Sequence, residues 1–353
     1  MARPVRGNVL SVPDVVMSAL TIITIGLLAS LAMTQAWHLI ALWGFVVGFG
    51  TGMTAMVLGA TVATRWFVAH RGLVVGILAA SVATGQLIFL PVMAYLTEAF
   101  GWRIALGTMC VMLAVAAAMV LLFMSDRPSD LGLRPVGDDG TAPVPVTPPA
   151  TSIISAAFTA LRDASKTRVF WILFGTFFVC GASTNGLVQT HLIPMCADFG
   201  IPATASASLL AAMGIFDFVG TIASGWLSDR YSNRWLLFWY YGLRGLSLVF
   251  LPFTDFSFYG LSLFAVFYGL DWIATVPPTV KLTAKHFGPE RAAMVFGWVF
   301  VGHQLGSATA AFGAGLTRTL YESYLPAFFA AGILCLIAAA VMMLRSEPKA
   351  ATA

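Results

Sequence analysis

The stretch 205–254, ASASLLAAMGIFDFVGTIASGWLSDRYSNRWLLFWYYGLRGLSLVFLPFT, carries the architecture of the whole chain in miniature. Two apolar runs, 205–227 and 235–254, flank a charged turn, SDRYSNR at Ser228–Arg234. At 1.5 Å of rise per residue, each run matches one crossing of a bilayer core, which takes about 20 mostly apolar residues. The turn is too polar to enter hydrocarbon with them, so the stretch reads as a helical hairpin that crosses a membrane twice.

Outward from this hairpin the same pattern repeats from Val12 to Leu344. Of 353 residues, 59% are hydrophobic and 10% charged, with a mean hydropathy of +0.88. Soluble domains carry roughly 25% charged residues, and no soluble fold hides this much apolar surface. The runs predict an all-α integral membrane protein with about ten spans: 14–34, 37–62, 73–97 and 103–124, then 168–194, 205–227, 235–254, 257–278, 291–317 and 323–344. Residues 125–167 separate the two groups. Six prolines there, from Pro128 to Pro149, together with Gly and Asp, predict a flexible linker without a core of its own. The expected organisation is a four-helix N-terminal bundle at 1–124, a cytoplasmic linker at 125–167 and a six-helix C-terminal bundle at 168–353.

The distribution of Lys and Arg tests this parse, because cytoplasmic connections collect positive charge. Arg3, Arg6, Arg65, Arg71, the basic residues from Arg127 to Arg168, Arg230, Arg234, those from Lys281 to Arg291, Arg345 and Lys349 all fall in alternate connections. The opposite connections hold only Arg103 and Arg318, and Arg244 lies inside a span. Both termini are therefore expected in the cytoplasm, in a multi-pass protein of the cell (inner) membrane. The pI near 9.0 reflects these topology signals and no continuous basic face, so no nucleic-acid partner is expected.

Cys110, Cys180, Cys196 and Cys335 form no CxxC pair and read as packing residues, which excludes a disulfide framework and a zinc site. No HExxH, GxSxG or GxxxxGK pattern occurs, so neither an enzyme nor an ATP-driven pump is expected, and no cofactor. Glycines at helix-packing intervals, Gly44, Gly48 and Gly52, Gly72 and Gly76, and Gly302 and Gly306, predict close helix contacts. In the turn, Gly225 permits close helix approach. Asp229 can receive a neighbouring helix end or pair with Arg230, forming with Arg234 a charged latch.

The motif GWLSDRYSNR at Gly225–Arg234 resembles the cytoplasmic loop signature of the major facilitator superfamily. WFVAHRGLVVGILAASVATGQ from Trp66, GWR at Gly101–Arg103, STNGLVQTHLIP from Ser183, YYGLRGLSL from Tyr240, GLDWIATVPP from Gly269 and FGWVFVGHQLG from Phe296 are similar to its bacterial monocarboxylate-transporter-like branch. The resemblance covers nearly all the chain outside the linker. It implies twelve helices, six in each half, and therefore two helices preceding the four seen here, with Ala2–Arg6 as the tail of the first-half loop motif. Where monocarboxylate carriers of the family have an arginine one turn after the acid matching Asp217, this chain has Thr221.

Ionisable groups at mid-membrane depth cost about 2.5–3.5 kcal/mol each and so need a partner or a role. Asp217, Arg244, Asp271 and His303 lie roughly 10–20 Å below a surface, counted at 1.5 Å per residue. They predict a substrate or proton-coupling site, with Gln304 beside His303, and Asn185, Gln189 and His191 lining an entrance or capping a wet helix end. The competing reading is a permanent pairing of Arg244 with Asp217 or Asp271 that only pins helices. Pro277 and Pro278 predict a helix break just past Asp271. The expected function is secondary active transport of a small organic solute, a carboxylate-like anion carried with protons, by alternating access. The alternatives are proton-driven efflux of amphipathic compounds and a non-transporting fragment.

Overall fold

The computed structural model describes residues 11–54, 62, 65–67, 71–137 and 150–343. Arg3, Arg6, Arg345, Lys349, the segment Ala2–Arg6 and the proline-rich middle of the linker lie outside the described residues. Apart from one bridge, Phe67 to Val136, the regular structure among the described residues is helical. The elements are α1 Val12–Leu31, α2 Ala36–Met53, α3 Arg71–Phe100, α4 Trp102–Phe123, α5 Ala150–Ala164 and α6 Arg168–Asp198. They continue as α7 Ala203–Arg230, α8 Asn233–Phe250, α9 Phe258–Asp271, α10 Val276–Phe287, α11 Pro289–Tyr321 and α12 Leu325–Met343.

Local chemistry sets the ends. Ser11 and Asp14 form a reciprocal capping box at the start of α1, with Pro13 in the first turn. Thr167 and Ser257 cap α6 and α9 by accepting from the backbone N–H of Phe170 and Gly260. Each expected span overlaps a helix. Among the described residues, eight helical stretches, with α9 and α10 counting as one, are long and apolar enough to cross a membrane. The two remaining spans are α3 and α11, 30 and 33 residues long. In α11, His303, Gln304 and the charges at its ends dilute the hydropathy.

The chain divides into two compact units, Met1–Val82 with Val92–Pro145, and Ala83–Pro91 with Val146–Ala353. In the first, α1 packs on α2 and α4 around Ile23, Leu27, Leu106 and Cys110. The glycine contact there is not the one expected. A Cβ on Gly50 would lie 2.6 Å from Ile23, whereas one on Gly44 or Gly52 would meet no described residue within 4 Å. Residues 40–47 of α2 are wound as a π-helix, whose wider turn rotates the next residues about the axis and so moves the packing face. Gly72 and Gly76 lie outside the residues whose surroundings are described.

In the second unit, α6 and α11 touch backbone to backbone: a Cβ on Gly306 would sit 2.0 Å from the Phe178 carbonyl, and one on Gly181 1.9 Å from that of His303. Here the expected small-residue contact at Gly302 and Gly306 is made. The linker reading needs correction at its second half. Residues 150–164 form α5, which buries Ala160 and Ala164 in the core shared by α6, α8, α10, α11 and α12. The Trp298 indole N–H donates to the Ala157 carbonyl at 2.9 Å, and its ring packs on Phe158. The prolines stop at Pro149, after which apolar residues recur at helical spacing.

Candidate functional site

The site grows from a broken span. α9 stops at Asp271 and α10 starts at Val276, because Pro277 and Pro278 cannot donate the N–H groups that a continuous helix requires. The break leaves the Asp271 and Trp272 carbonyls and the Ile273 N–H in the bundle interior. Arg244 of α8 answers the carbonyls, its Nη2 donating to Asp271 O at 2.5 Å and Trp272 O at 3.1 Å. Asp217 of α7 answers the N–H, its Oδ1 accepting from Ile273 N at 2.9 Å and from the Thr221 hydroxyl at 2.9 Å. A cation thus sits at a half-helix C-terminus and an anion at a freed donor, as the helix dipole favours.

Arg244 is fully buried. Its Nε donates to Asp271 Oδ2 at 2.6 Å, and its Nη1 to Cys180 Sγ at 3.2 Å and Ser183 Oγ at 3.4 Å. All five guanidinium donors are engaged. Such a pair is tolerated away from water only when geometry and extra hydrogen bonds offset desolvation. The carboxylate is less well served, since Asp271 Oδ1 is buried and no described residue hydrogen-bonds to it. Of the two acids expected to meet Arg244, Asp271 makes the ion pair and Asp217 holds the broken helix.

Residues 182–188 of α6 are wound as a π-helix, which turns Ser183 inward; its carbonyl accepts from the Tyr268 hydroxyl at 2.7 Å. Cys180 Sγ lies 3.3 Å from Thr275 Oγ1. His303 is buried beside Cys180, stacks on Phe300 with ring centroids 5.2 Å apart, and places Nδ1 3.2 Å from Gln304 Oε1. Asn185, Gln189 and Gln304 are exposed at mid-span of α6 and α11. His191 is not: it is buried, with Nε2 2.8 Å from the Ala311 carbonyl and its ring against Tyr324. It therefore ties α6 to α11 and caps no wet helix end.

The loop motif also departs from expectation. Asp229 pairs with Lys281 of α10, and Arg230 lies over the Trp226 ring at 4.0 Å. Arg234 Nε and Nη2 donate to the Met342 carbonyl at 3.1 and 2.8 Å, closing the end of α12. A Cβ on Gly225 would meet nothing within 4 Å, so the close approach expected there is not made by the described residues. The motif acts through charge, joining α7 to α10 and α8 to α12.

Cys180, Ser183, Tyr268 and Thr275 join the network without having been singled out in the sequence. Cys180 reads there as packing, and a π-turn has no sequence signature. The one available signal is Thr275, Thr279 and Thr283 at four-residue spacing in an otherwise apolar span.

The sequence profile of the Major Facilitator Superfamily matches residues 11–311, and again residues 188–353. The chain is 23% identical to the MFS-type transporter YcxA of Bacillus subtilis (strain 168), over 81% of this chain and 67% of that one. It is 27% identical to Monocarboxylate transporter 12-B of Danio rerio, over 84% of this chain and 65% of the relative. The chain thus spans about two thirds of the length of these relatives, which are transporters and not enzymes. A bacterial homolog to the human lysosomal transporter Spinster, solved in an inward-facing and unoccupied conformation, shares the fold at a TM-score of 0.69, with 15% identity over 95% of this chain and 82% of that one. With a profile match over most of its length and a multi-helix apolar architecture to carry it, the chain belongs to the major facilitator superfamily.

Proposed function

We propose that the protein is a secondary active transporter that carries a small carboxylate-like organic anion together with protons, by alternating access. Its basic end, with Arg230, Arg234, Lys281, Lys285 and Arg291, faces the cytoplasm of the cell in which it sits. The observation that carries this reading is the fully buried Arg244, balanced by Asp271, whose second oxygen has no partner among the described residues. A proton on Asp271 Oδ1 removes the countercharge, and the guanidinium then attracts an anion's carboxylate. Proton and anion load together, since each alone leaves an unbalanced charge in a medium where such a charge is costly. Asn185, Gln189 and Gln304 supply neutral hydrogen-bonding groups, and His303 with Gln304 a further polar edge. The name of the Danio rerio relative supports a monocarboxylate as substrate class.

The test is uptake of a radiolabelled short monocarboxylate such as lactate by proteoliposomes acidified outside. The native chain accumulates it, Arg244→Gln abolishes uptake, and Asp271→Asn loses the dependence on the pH gradient. Uptake unchanged in Arg244→Gln removes the arginine from the site and the anion reading with it.

A further inference from the structure

The interior of the second unit changes character along its length. Away from the basic end it is packed with Leu192, Met195, Leu251, Phe256 and Phe264. From the α9–α10 break toward the basic end, an apolar core of Phe170, Leu173, Phe177, Leu237 and Leu282 is flanked on its α7 side by hydroxyls. Asp217, Thr221, Ser224 and Ser228 stand at i, i+4, i+7 and i+11 on α7, a single helical stripe about 16 Å long at 1.5 Å per residue. The stripe faces the break, since Ser224 Oγ donates to the Ala274 carbonyl at 2.6 Å. Thr275 of the break and Thr279 and Thr283 of α10 add a second buried row of hydroxyls, each at most 1% exposed. Thr279 and Thr283 donate to carbonyls of their own helix and keep lone pairs free to accept.

The same region holds polar atoms that the protein leaves unanswered. Ser228 Oγ, Asn233 Oδ1 and Asp271 Oδ1 are buried side-chain oxygens without a partner among the described residues, and the Tyr240 hydroxyl lies between them beside Ser224. Ser228 and Asp271 are only 4% and 6% exposed. The three unanswered oxygens fall on α7, α8 and α9, from the level of Asp271 to the α7–α8 turn. A buried oxygen left dry costs about 1–3 kcal/mol, and internal water bonded to two or more such groups is the usual answer.

We infer that a water-bearing, hydroxyl-lined path runs inside the bundle from Asp271 past Tyr240 and Ser224 to a mouth at Ser228 and Asn233, and that the coupling proton travels along it. The inference rests on the proton-coupled reading above. The proton leaves Asp271 Oδ1. Each water or hydroxyl along the path takes one proton on a lone pair and releases its own, so no relay group changes charge. Asp271 remains as a carboxylate against Arg244. The titratable and charged groups around Asp271 are Arg244 and Tyr240 of α8, Cys180 of α6, Asp217 of α7, Cys335 of α12 and Tyr268 of its own helix. Arg244 is the cation among them and lies against the carboxylate that the proton leaves behind. The path puts proton exchange with the cytosol behind the solute-binding groups, so a bound solute does not block it.

The experiment uses the full chain in proteoliposomes, with an entrapped pH-sensitive dye for solute-driven proton movement and radiolabelled lactate for counterflow. Ser228→Val, which fills the mouth with methyls, and Tyr240→Phe, which removes a relay hydroxyl, are expected to slow proton movement tenfold or more. Lactate counterflow stays within twofold of native, and Ser228→Thr restores proton movement. Proton movement within twofold of native in both Ser228→Val and Tyr240→Phe overturns the path while leaving proton coupling intact. A native protein that exchanges lactate and moves no protons overturns the coupling reading, and the path's role falls with it. Accessibility supplies a second reading if Ser228→Val does not fold. Ser228→Cys should react with a small methanethiosulfonate from the basic end above the background of the four native cysteines, all buried; no reaction above that background overturns the path.

Discussion

Removing Arg244 should destabilise the second unit more than any other single side-chain truncation in it. The guanidinium is fully buried and donates five hydrogen bonds, two of them to carbonyls at the α9–α10 break. Arg244→Leu leaves the Asp271 carboxylate buried without its countercharge, and breaking one side of such a pair costs about 3–5 kcal/mol. At tenfold per 1.4 kcal/mol this is roughly a 140- to 3,700-fold shift toward the unfolded state. Asp271→Asn should cost less, because the donors to Cys180, Ser183 and the two carbonyls remain. Arg244→Leu combined with Asp271→Leu should recover much of the loss, since no buried charge is then left alone. Reversible unfolding in detergent micelles, followed by tryptophan fluorescence across the four members of the cycle, reads the coupling. Single variants within 1 kcal/mol of native, or a double variant no better than Arg244→Leu, would refute the idea that the pair organises the break.

Gly220→Leu should abolish folding, because its Cβ would lie 1.8 Å from the Leu270 carbonyl, whereas Gly225→Ala should be tolerated in open space; monodisperse yield from detergent extraction compares them. Trp298→Phe keeps the ring contact with Phe158 but loses the bond to Ala157, so amide hydrogen exchange across 150–164 should quicken while α6 stays protected, at a cost of about 1 kcal/mol. Arg318 makes a two-pronged pair with Asp198 at 2.9 and 3.1 Å, but both side chains are about a third exposed. Arg318→Gln should therefore leave the melting temperature nearly unchanged, with a still smaller effect in high salt, as measured by thermal unfolding.

The membrane spans are largely legible in the amino-acid order alone, because a hydrocarbon solvent leaves a chain few options. Apolar runs near 20 residues must become helices that satisfy their own backbone, and charge clusters must stay outside. The runs around 205–254 and the break at Pro277 and Pro278 can therefore be read one residue at a time. So can the presence of Asp217, Arg244, Asp271 and His303 at depth, since each stands out in an apolar run. Which of them meet was not legible. Arg244 pairs with Asp271 and not with Asp217, because the break turns two carbonyls and a carboxylate toward α8 while Asp217 is occupied by the Ile273 N–H. Cys180 enters from the α-helical turn just before the π-helix and Ser183 from within it, a change of winding that leaves no mark in the sequence. Nor did the prolines of the linker foretell α5, whose short apolar stripe becomes a stable helix only once Trp298 and the core receive it. Backbone satisfaction in lipid is a local demand that each segment meets alone. Pairing of buried charges and hydroxyls is a demand between segments, met only when the helices have packed.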